Sequence, residues 1–529
     1  MFKPCLFIIG LTMAMASGCG KGEEQAKKAE SKAQPEAKSK KEPAPASKPP
    51  PPAKAAKTPK IKSVAEIKKT PEQEEEDRFL ESLRPQHEGK PSTLKIELEK
   101  LRAKGEPVTF KELDAWYKAV PPAKNGALAF LQTTNAVPKN GVDLWVAVNR
   151  ENRRQQVEFP FTAPAMRTKV RAYLVAHQAL YAQQLAIAQR YPANQPARFP
   201  IDLTRGPGTL LPHLVHFNAS RRPLIWRSKY YATQPAPAAA PGQVSPAAGY
   251  QQEAVTSILV LLHNMHWLDK EPLLISFFVQ TSGFNKSIDP LETLLNWRQL
   301  TDPQLVSLQH SYASFNWPQI AANGLIAERV QVLDIEAIAR TGTKQQVDSI
   351  DPDRQLLGKE ILYRLRLRTE AERDEEMTTC IGMMNQFIEA VRKGYPGLAT
   401  YDDEDGPFQT TWKRYDAATK SGIDQNYFYA RLLMLSLRRI PARLNLTVAN
   451  QQLAFTSLAI ERYRLANQWR LPKTLQELIP NYLLAHPFDP YTGKPLTYLP
   501  NANGAYELRA EKSKNAPLKF KVNPANRIR

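Results

Sequence analysis

From Gly20 to Pro71 the chain consists of Lys, Ala, Pro, Glu and Ser, with almost no large apolar residue before Ile61. Such a stretch cannot bury enough surface to offset the entropy of ordering it, so it is expected to stay disordered. The run Lys48-Pro49-Pro50-Pro51-Pro52-Ala53-Lys54 favours polyproline II and stiffens the middle. A tether of this length spans roughly 40 Å as a flexible coil and about 150 Å at full polyproline extension. Whatever core the protein has must come from the residues after it. About 450 remain, too many for one compact core, which predicts two or more packed units.

The residues before the tether explain what it is tied to. Lys3 is followed by an apolar core, Leu6–Met15, and then by small residues. A spanning helix needs roughly 20 apolar residues, so the pattern is that of a secretory signal and not of a membrane span. Its close, Ala16-Ser17-Gly18-Cys19, resembles the lipobox of bacterial lipoproteins, with Ala16 standing where that family usually has Leu. The resemblance implies that residues 1–18 are removed and that Cys19 carries the lipid. Gly20 occupies the position where Asp would signal inner-membrane retention, which implies an outer-membrane anchor facing the periplasm. The alternative is an ordinary signal peptide cut near Gly18, with Cys19 incidental.

Charge and thiols agree with export. A formal charge of +20 and a pI near 9.6 raise the possibility of nucleic acid. Fourteen lysines against six glutamates put +8 of that excess in the tether, and the signal directs the protein away from the nucleoid. Nucleic acid is therefore excluded as a partner. Anionic lipid or cell-wall polymer is the expected partner of the basic tether, beside a reading of it as a solvated spacer. Of three cysteines, Cys5 leaves with the signal and Cys19 is acylated, so Cys380 has no partner for a disulfide. Met377, Cys380/Ile381, Met384, Phe387/Ile388 and Val391 recur at helical spacing, which places the thiol on a buried face as a small hydrophobe.

Residues 72–440 read as a chain of helices separated by short breaks. An acidic cluster, Glu72–Asp77, opens the first; Lys95–Lys104 forms another, ended by Gly105; Thr109 and Glu112 make a capping box for the next. The segment after Pro121-Pro122 is read as irregular up to one long helix from about Ala165 to Arg190. A Pro/Ala/Gly insertion, 233–249, is expected to be a mobile loop. Thr256–Trp267 and Leu273–Val279 are apolar nearly all round and predict core helices; Thr301-Asp302-Pro303-Gln304 and Asn316-Trp317-Pro318 each start a helix. The fold class is mainly α, an irregular multi-helix, solenoid-like body with a small α+β C-terminal module; no fixed repeat period is found.

That module, 441–529, has a helix from about Asn445 to Gln468, a Thr474/Glu477 capping box over a short helix, and a hairpin of Leu496–Leu499 and Ala505–Leu508 about Asn503-Gly504. Ala459–Asn467, Leu471-Pro472, Leu475–Pro480, Tyr482-Leu483, Pro487–Pro490 and Gly493–Tyr498 are similar to the core of major type II secretion pseudopilins. Glu106–Thr109, Leu113–Tyr117 and Asp302–Leu305 also resemble a family of uncharacterised helical bacterial envelope proteins. The pseudopilin likeness implies the fold of the module and not membership in a secretion pilus. Some 400 residues separate the module from the N-terminus, and an acidic calcium loop does not follow Leu508.

Candidate chemistry is sparse. His213/His216 and His263/His266 are each three apart, as metal ligands on one helix face would be, but also as core histidines would be. Asp402-Asp403-Glu404-Asp405-Gly406 offers hard oxygens without EF-hand spacing and reads better as a solvated acidic loop. A nucleophile elbow, P-loop, Cys-x-x-Cys and dinucleotide turn are all lacking. The sequence thus names Cys19 as lipid attachment and assigns no catalytic, cofactor or metal residue. The expected function is a non-enzymatic, lipid-anchored envelope protein that acts as an interaction or scaffold surface. The alternative is an envelope hydrolase cutting cell-wall glycan with a pair of carboxylates.

Overall fold

The computed structural model describes residues 92–138, 164–235, 246–350, 362, 365–394, 398, 429, 437, 439–511 and 517–527. Cys19, the tether, the Glu72–Asp77 cluster, residues 236–245 of the expected loop, and Asp402–Gly406 lie outside them. The chain divides into two units, Gln86–Ala337 with Arg368–Arg529, and Met1–Pro85 with Ile338–Leu367. The protein is mainly helical, with a small three-stranded antiparallel sheet near the C-terminus. Among the described residues no helix is long and apolar enough to cross a membrane.

In the larger unit, α1 (Thr93–Ala103) and α2 (Phe110–Trp116) start where the cap chemistry directs. Ser92 Oγ accepts from the Lys95 N–H at 3.1 Å and Thr109 Oγ1 from Glu112 N–H at 3.2 Å. Glu112 does not close the box on Thr109; its carboxylate takes the Val108 N–H at 2.8 Å and the Arg102 Nε at 3.0 Å. Gly105, at φ +75°, ends the α1 turn where a side chain would be strained. The start of α1 is held from far along the chain. Asp374 on α13 (Glu370–Lys393) accepts from Thr93 N–H at 2.6 Å, and Leu101, Val108 and Ile381 bury together below.

Two expectations for residues 122–190 are corrected. The segment called irregular contains α3 (Gly126–Gln132), capped by Asn125. A Cβ on Gly126 would stand 2.3 Å from the Trp267 ring, so the helix exists by docking on that indole, which local sequence does not reveal. The single helix over 165–190 is two, α4 (Pro164–Ala176) and α5 (Gln178–Arg190). His177, at φ −97° and ψ 10°, breaks the run, its Nδ1–H bonded to Tyr173 O at 2.8 Å.

The body is built on α6 (Pro212–Thr233) and α7 (Pro246–His266), which pack along one another and receive α8 (Leu274–Asn285), α9 (Ile288–Trp297) and α10 (Asp302–Ala313). Residues 246–249, expected in the loop, already belong to α7. Thr301 and Gln304 form the expected capping box of α10, and α11 (Trp317–Thr341) starts at Trp317 as read. An aromatic knot joins these helices: Phe315 stacks on Trp317 at 4.7 Å, and Phe284 meets both edge-on. The Cys380 stripe is buried along α13, which Gly394 ends at φ +63°. In the smaller unit, α12 (Lys344–Ile350) follows, and Arg366 bonds Ala339 O and Gly342 O at 2.8 and 2.6 Å.

At the C-terminus α14 (Ile440–Ala466) starts five residues earlier than read, with Pro441 in its first turn. The sheet order is β1 (Thr497–Pro500), β2 (Tyr506–Ala510), β3 (Leu518–Val522), pairing Tyr498 with Leu508 and Leu508 with Phe520. Tyr506, Leu508, Ala510, Phe520 and Val522 form its buried face against α14. β3 was not expected; two of its five residues are lysines. Its edge is covered by side chains of α9: Glu292 takes the Lys521 N–H at 3.0 Å, and Asn296 pairs with Lys521 O and Asn523 N–H at 2.8 and 2.6 Å. The Thr474/Glu477 box also differs, because the Thr474 side chain makes no cap hydrogen bond, while Glu477 takes the Lys473 N–H and the Tyr463 hydroxyl.

Gly126→Ala is expected to lower stability by about 2–3 kcal/mol through overpacking against Trp267. Urea denaturation of the variant beside wild type measures the loss.

Candidate functional site

The densest buried chemistry lies where α6, the α7–α8 turn and the residue after α2 meet. Pro212 begins α6 and puts His213 in its first turn; the chain between α7 and α8 brings in Glu271, and the first turn of α8 adds Ser276. The three side chains converge on one oxygen. His213 Nε2 and Ser276 Oγ lie 2.9 and 2.5 Å from Glu271 Oε1. Phe199 stacks on the imidazole at 4.3 Å, and its N–H donates to the Tyr117 hydroxyl at 3.0 Å. That hydroxyl faces Glu271; burial first, then this charge, holds its pKa far above the usual phenol range. His213, Glu271 and Tyr117 are each 2% exposed and Ser276 0%.

This arrangement is not a nucleophilic triad. A triad needs the imidazole between hydroxyl and carboxylate, so that it can take the hydroxyl proton. Here the carboxylate stands between the other two, and the serine proton points at Glu271 rather than at His213. What the geometry does is join three segments through one buried anion.

The other histidine expected beside His213 is turned elsewhere. His216 Nε2 meets Thr133 Oγ1 at 2.8 Å. Thr133 spends its own proton on Phe130 O at 2.7 Å, so the imidazole is the donor. His263 Nε2 donates to Tyr191 O at 2.6 Å. His266 lies between Asp269 Oδ2 and Ser314 Oγ at 2.8 and 2.9 Å, stacked on Phe315 at 3.8 Å. Neither pair brings its nitrogens to a common point. Among the described residues no group of three or more His, Cys, Asp or Glu side chains is placed to hold a metal. Burial pushes the Cys380 thiol far above its usual range and so keeps it protonated.

Two further buried clusters were not singled out in the sequence. Glu106 receives Arg329 and Arg392, each at 2.7 Å, which tie the α1–α2 turn to α11 and α13. Glu376 on α13 is ion-paired to Arg368 and accepts the Tyr429 N–H at 2.9 Å. Its pKa is pushed up to about 7, by burial first, against Arg368 and with the Glu336 charge adding to the rise. The sequence offers little signal for Glu271, which shares the stretch from Trp267 to Leu274 with Asp269 and Lys270, so that only the fold shows which carboxylate is buried.

Glu271→Ala leaves His213, Ser276 and Tyr117 facing an empty site, and a loss of about 3 kcal/mol is expected by urea denaturation. His216 and His263 provide a pH test. Burial holds both down to about 4, so their folded pKa values lie below the unfolded value of about 6.5. The stability they protect is full above about pH 6.5 and is lost as pH falls towards 4. His263→Gln should therefore lose less stability than wild type over that window, by up to about 1.4 kcal/mol per pH unit. Melting temperatures of both proteins from pH 7 to pH 4 give the difference.

Neither a family model, nor a curated protein, nor a solved structure matches this chain, so the reading of the site rests on its own geometry.

Proposed function

We propose that the protein is a lipid-anchored envelope protein, acylated at Cys19 and held at the outer membrane facing the periplasm, whose helical body is a binding platform and not a catalyst. One observation carries the second half: the groups that chemistry would recruit are used to hold helices together. His213, Ser276 and Tyr117 are gathered on Glu271, and His216, His263 and His266 each bond to another part of the body. The C-terminal module supports the same reading. Its helix-plus-sheet form is what the pseudopilin resemblance implies, yet α14 is covered by α8, α9 and α10, so its apolar surface is used within the chain.

The alternative, an envelope hydrolase acting on cell-wall glycan, has one observation in its favour. Glu376 with a pKa of about 7 beside Glu336 is a carboxylate pair of the kind an acid–base mechanism uses. Both are buried, 2% and 7% exposed, which favours the platform.

Cys19→Ala is expected to abolish labelling by a palmitate analogue and to move the protein from the membrane to the soluble fraction. An unlabelled wild type, with the variant still in membranes, refutes the anchor. Digestion of purified cell-wall glycan by wild type but not by Glu376→Gln would refute the platform and establish the hydrolase.

A further inference from the structure

Among the described histidines only His266 has a hydroxyl at one ring nitrogen and a carboxylate at the other. Its Nδ1 lies 2.8 Å from Asp269 Oδ2 and its Nε2 2.9 Å from Ser314 Oγ. This is the order that the cluster on Glu271 lacks, with the imidazole in the middle. The other buried histidines meet carbonyl oxygens, a threonine hydroxyl or the Glu271 carboxylate.

Three elements hold the arrangement. His266 is the last residue of α7, and Asp269 sits in the turn that follows, its N–H donating to His266 O at 3.1 Å. Gln280 on α8 donates to the second carboxylate oxygen, Asp269 Oδ1, at 2.5 Å, so the carboxylate is fixed from two sides. Phe315 lies flat on the imidazole, 3.8 Å away and within 7° of parallel, which sets the plane of the ring. Ser314 ends α10 as its C-cap and is exposed, whereas His266 behind it is buried.

The Ser314 proton has two acceptors in reach, His266 Nε2 and Ser311 O at 2.8 Å. A carboxylate only accepts, so Asp269 takes the Nδ1–H, and the neutral ring turns its Nε2 lone pair to the serine. The start of α11 offers oxyanion donors close by in the chain. The Asn316 and Trp317 N–H groups have no hydrogen-bond partner among the described residues. They are neutral donors, suited to a carbonyl oxygen; a phosphoryl group calls for cations or a metal.

We propose that Ser314, His266 and Asp269 form a nucleophilic triad that moves the acyl group of a carboxylic ester onto Ser314. Ser314 Oγ bonds to the carbonyl carbon as its proton passes to His266 Nε2; the bond from that carbon to the alkoxy oxygen then breaks, and the departing alcohol takes the proton from Nε2. Asp269 is a positioning residue. An alcohol leaves more readily than an amine, which makes the substrate class an ester and not an amide. The inference goes beyond the platform reading: the chain itself is the acyl acceptor, so a platform can hold its ligand covalently, and the step is independent of Cys19 and Glu376.

The test exposes the full-length chain to p-nitrophenyl acetate and to a fluorophosphonate, whose adduct on serine is stable, and maps the label by peptide mass spectrometry. A rapid first release of one p-nitrophenolate per chain and a label on Ser314 are expected. Ser314→Ala, at an exposed position, should remove both and remain folded, and it decides the case if His266→Gln does not fold. His266→Gln should slow labelling about a hundredfold. Asp269→Asn should lower the limiting rate by about the same factor and leave the half-saturating probe concentration unchanged, a split that general loosening of the fold would not give. A wild type without label on Ser314, an unchanged burst from Ser314→Ala, or an undiminished rate in His266→Gln overturns the proposal.

Discussion

The structure depends on the burial of α14 from nearly every side. Residues 449–461 are buried almost without interruption, with α8, α9 and α10 on one flank and the sheet on the other. A helix covered all round is ordinarily apolar all round. This one carries Thr447, Asn450, Gln451, Gln452, Ser457, Glu461 and Arg464 into the interior. Each is placed by a directional partner: Asn450 donates to Asn285 Oδ1 at 2.9 Å, Gln451 to Tyr312 O at 2.9 Å, and Gln452 accepts from Phe488 N–H at 3.2 Å. Apolar packing alone would let such a helix rotate or slide. Hydrogen bonds to fixed carbonyls and amides on separate elements permit one register.

That arrangement also explains how the small sheet is held. Three short strands with one apolar face need something to bury that face against, and here it is α14. Tyr506 reaches Ser457 O at 3.3 Å, Arg527 meets Glu461 at 2.6 Å, and α9 supplies side-chain partners for the free edge of β3. The module therefore continues the core of the body through α14. Its resemblance to a freestanding helix-plus-sheet unit concerns local form, while its stability is shared with α8, α9 and α10.

What could be read from the residues alone was periodic or chemical at short range. The Cys380 stripe, the Thr301/Gln304 box and the Gly105 and Gly394 stops each rest on neighbours within a turn or two, and each is found. Two of the misses share a cause at longer range: α3 packs on the Trp267 ring more than a hundred residues away, and β3 is edged by side chains of α9. The break at His177 is local, one ring bonding the carbonyl of Tyr173 in its own helix, and no periodicity reveals it. The site follows the same rule. His213 was visible as a histidine on a helix face, but its role depends on Glu271, 58 residues on, and on a tyrosine from another helix end. Composition cannot distinguish a histidine that meets a metal from one that meets a buried carboxylate, because both are polar groups at apolar spacing.

The basic excess of the chain can be followed through the same contacts. The tether accounts for +8 of the +20, so the remaining sequence still holds more cations than carboxylates. Inside the described body the surplus is absorbed in two ways. Arg298 caps the end of α6 through carbonyl oxygens, whereas Arg227 and Arg198 lie over aromatic faces, 3.8 Å from the Tyr181 ring and 4.8 Å from Tyr117, and also meet the carboxylates of Glu253 and Asp114 at 2.9 and 2.7 Å. Carbonyl dipoles and aromatic faces thus let a guanidinium be buried within the body, with a full carboxylate added where one is in reach.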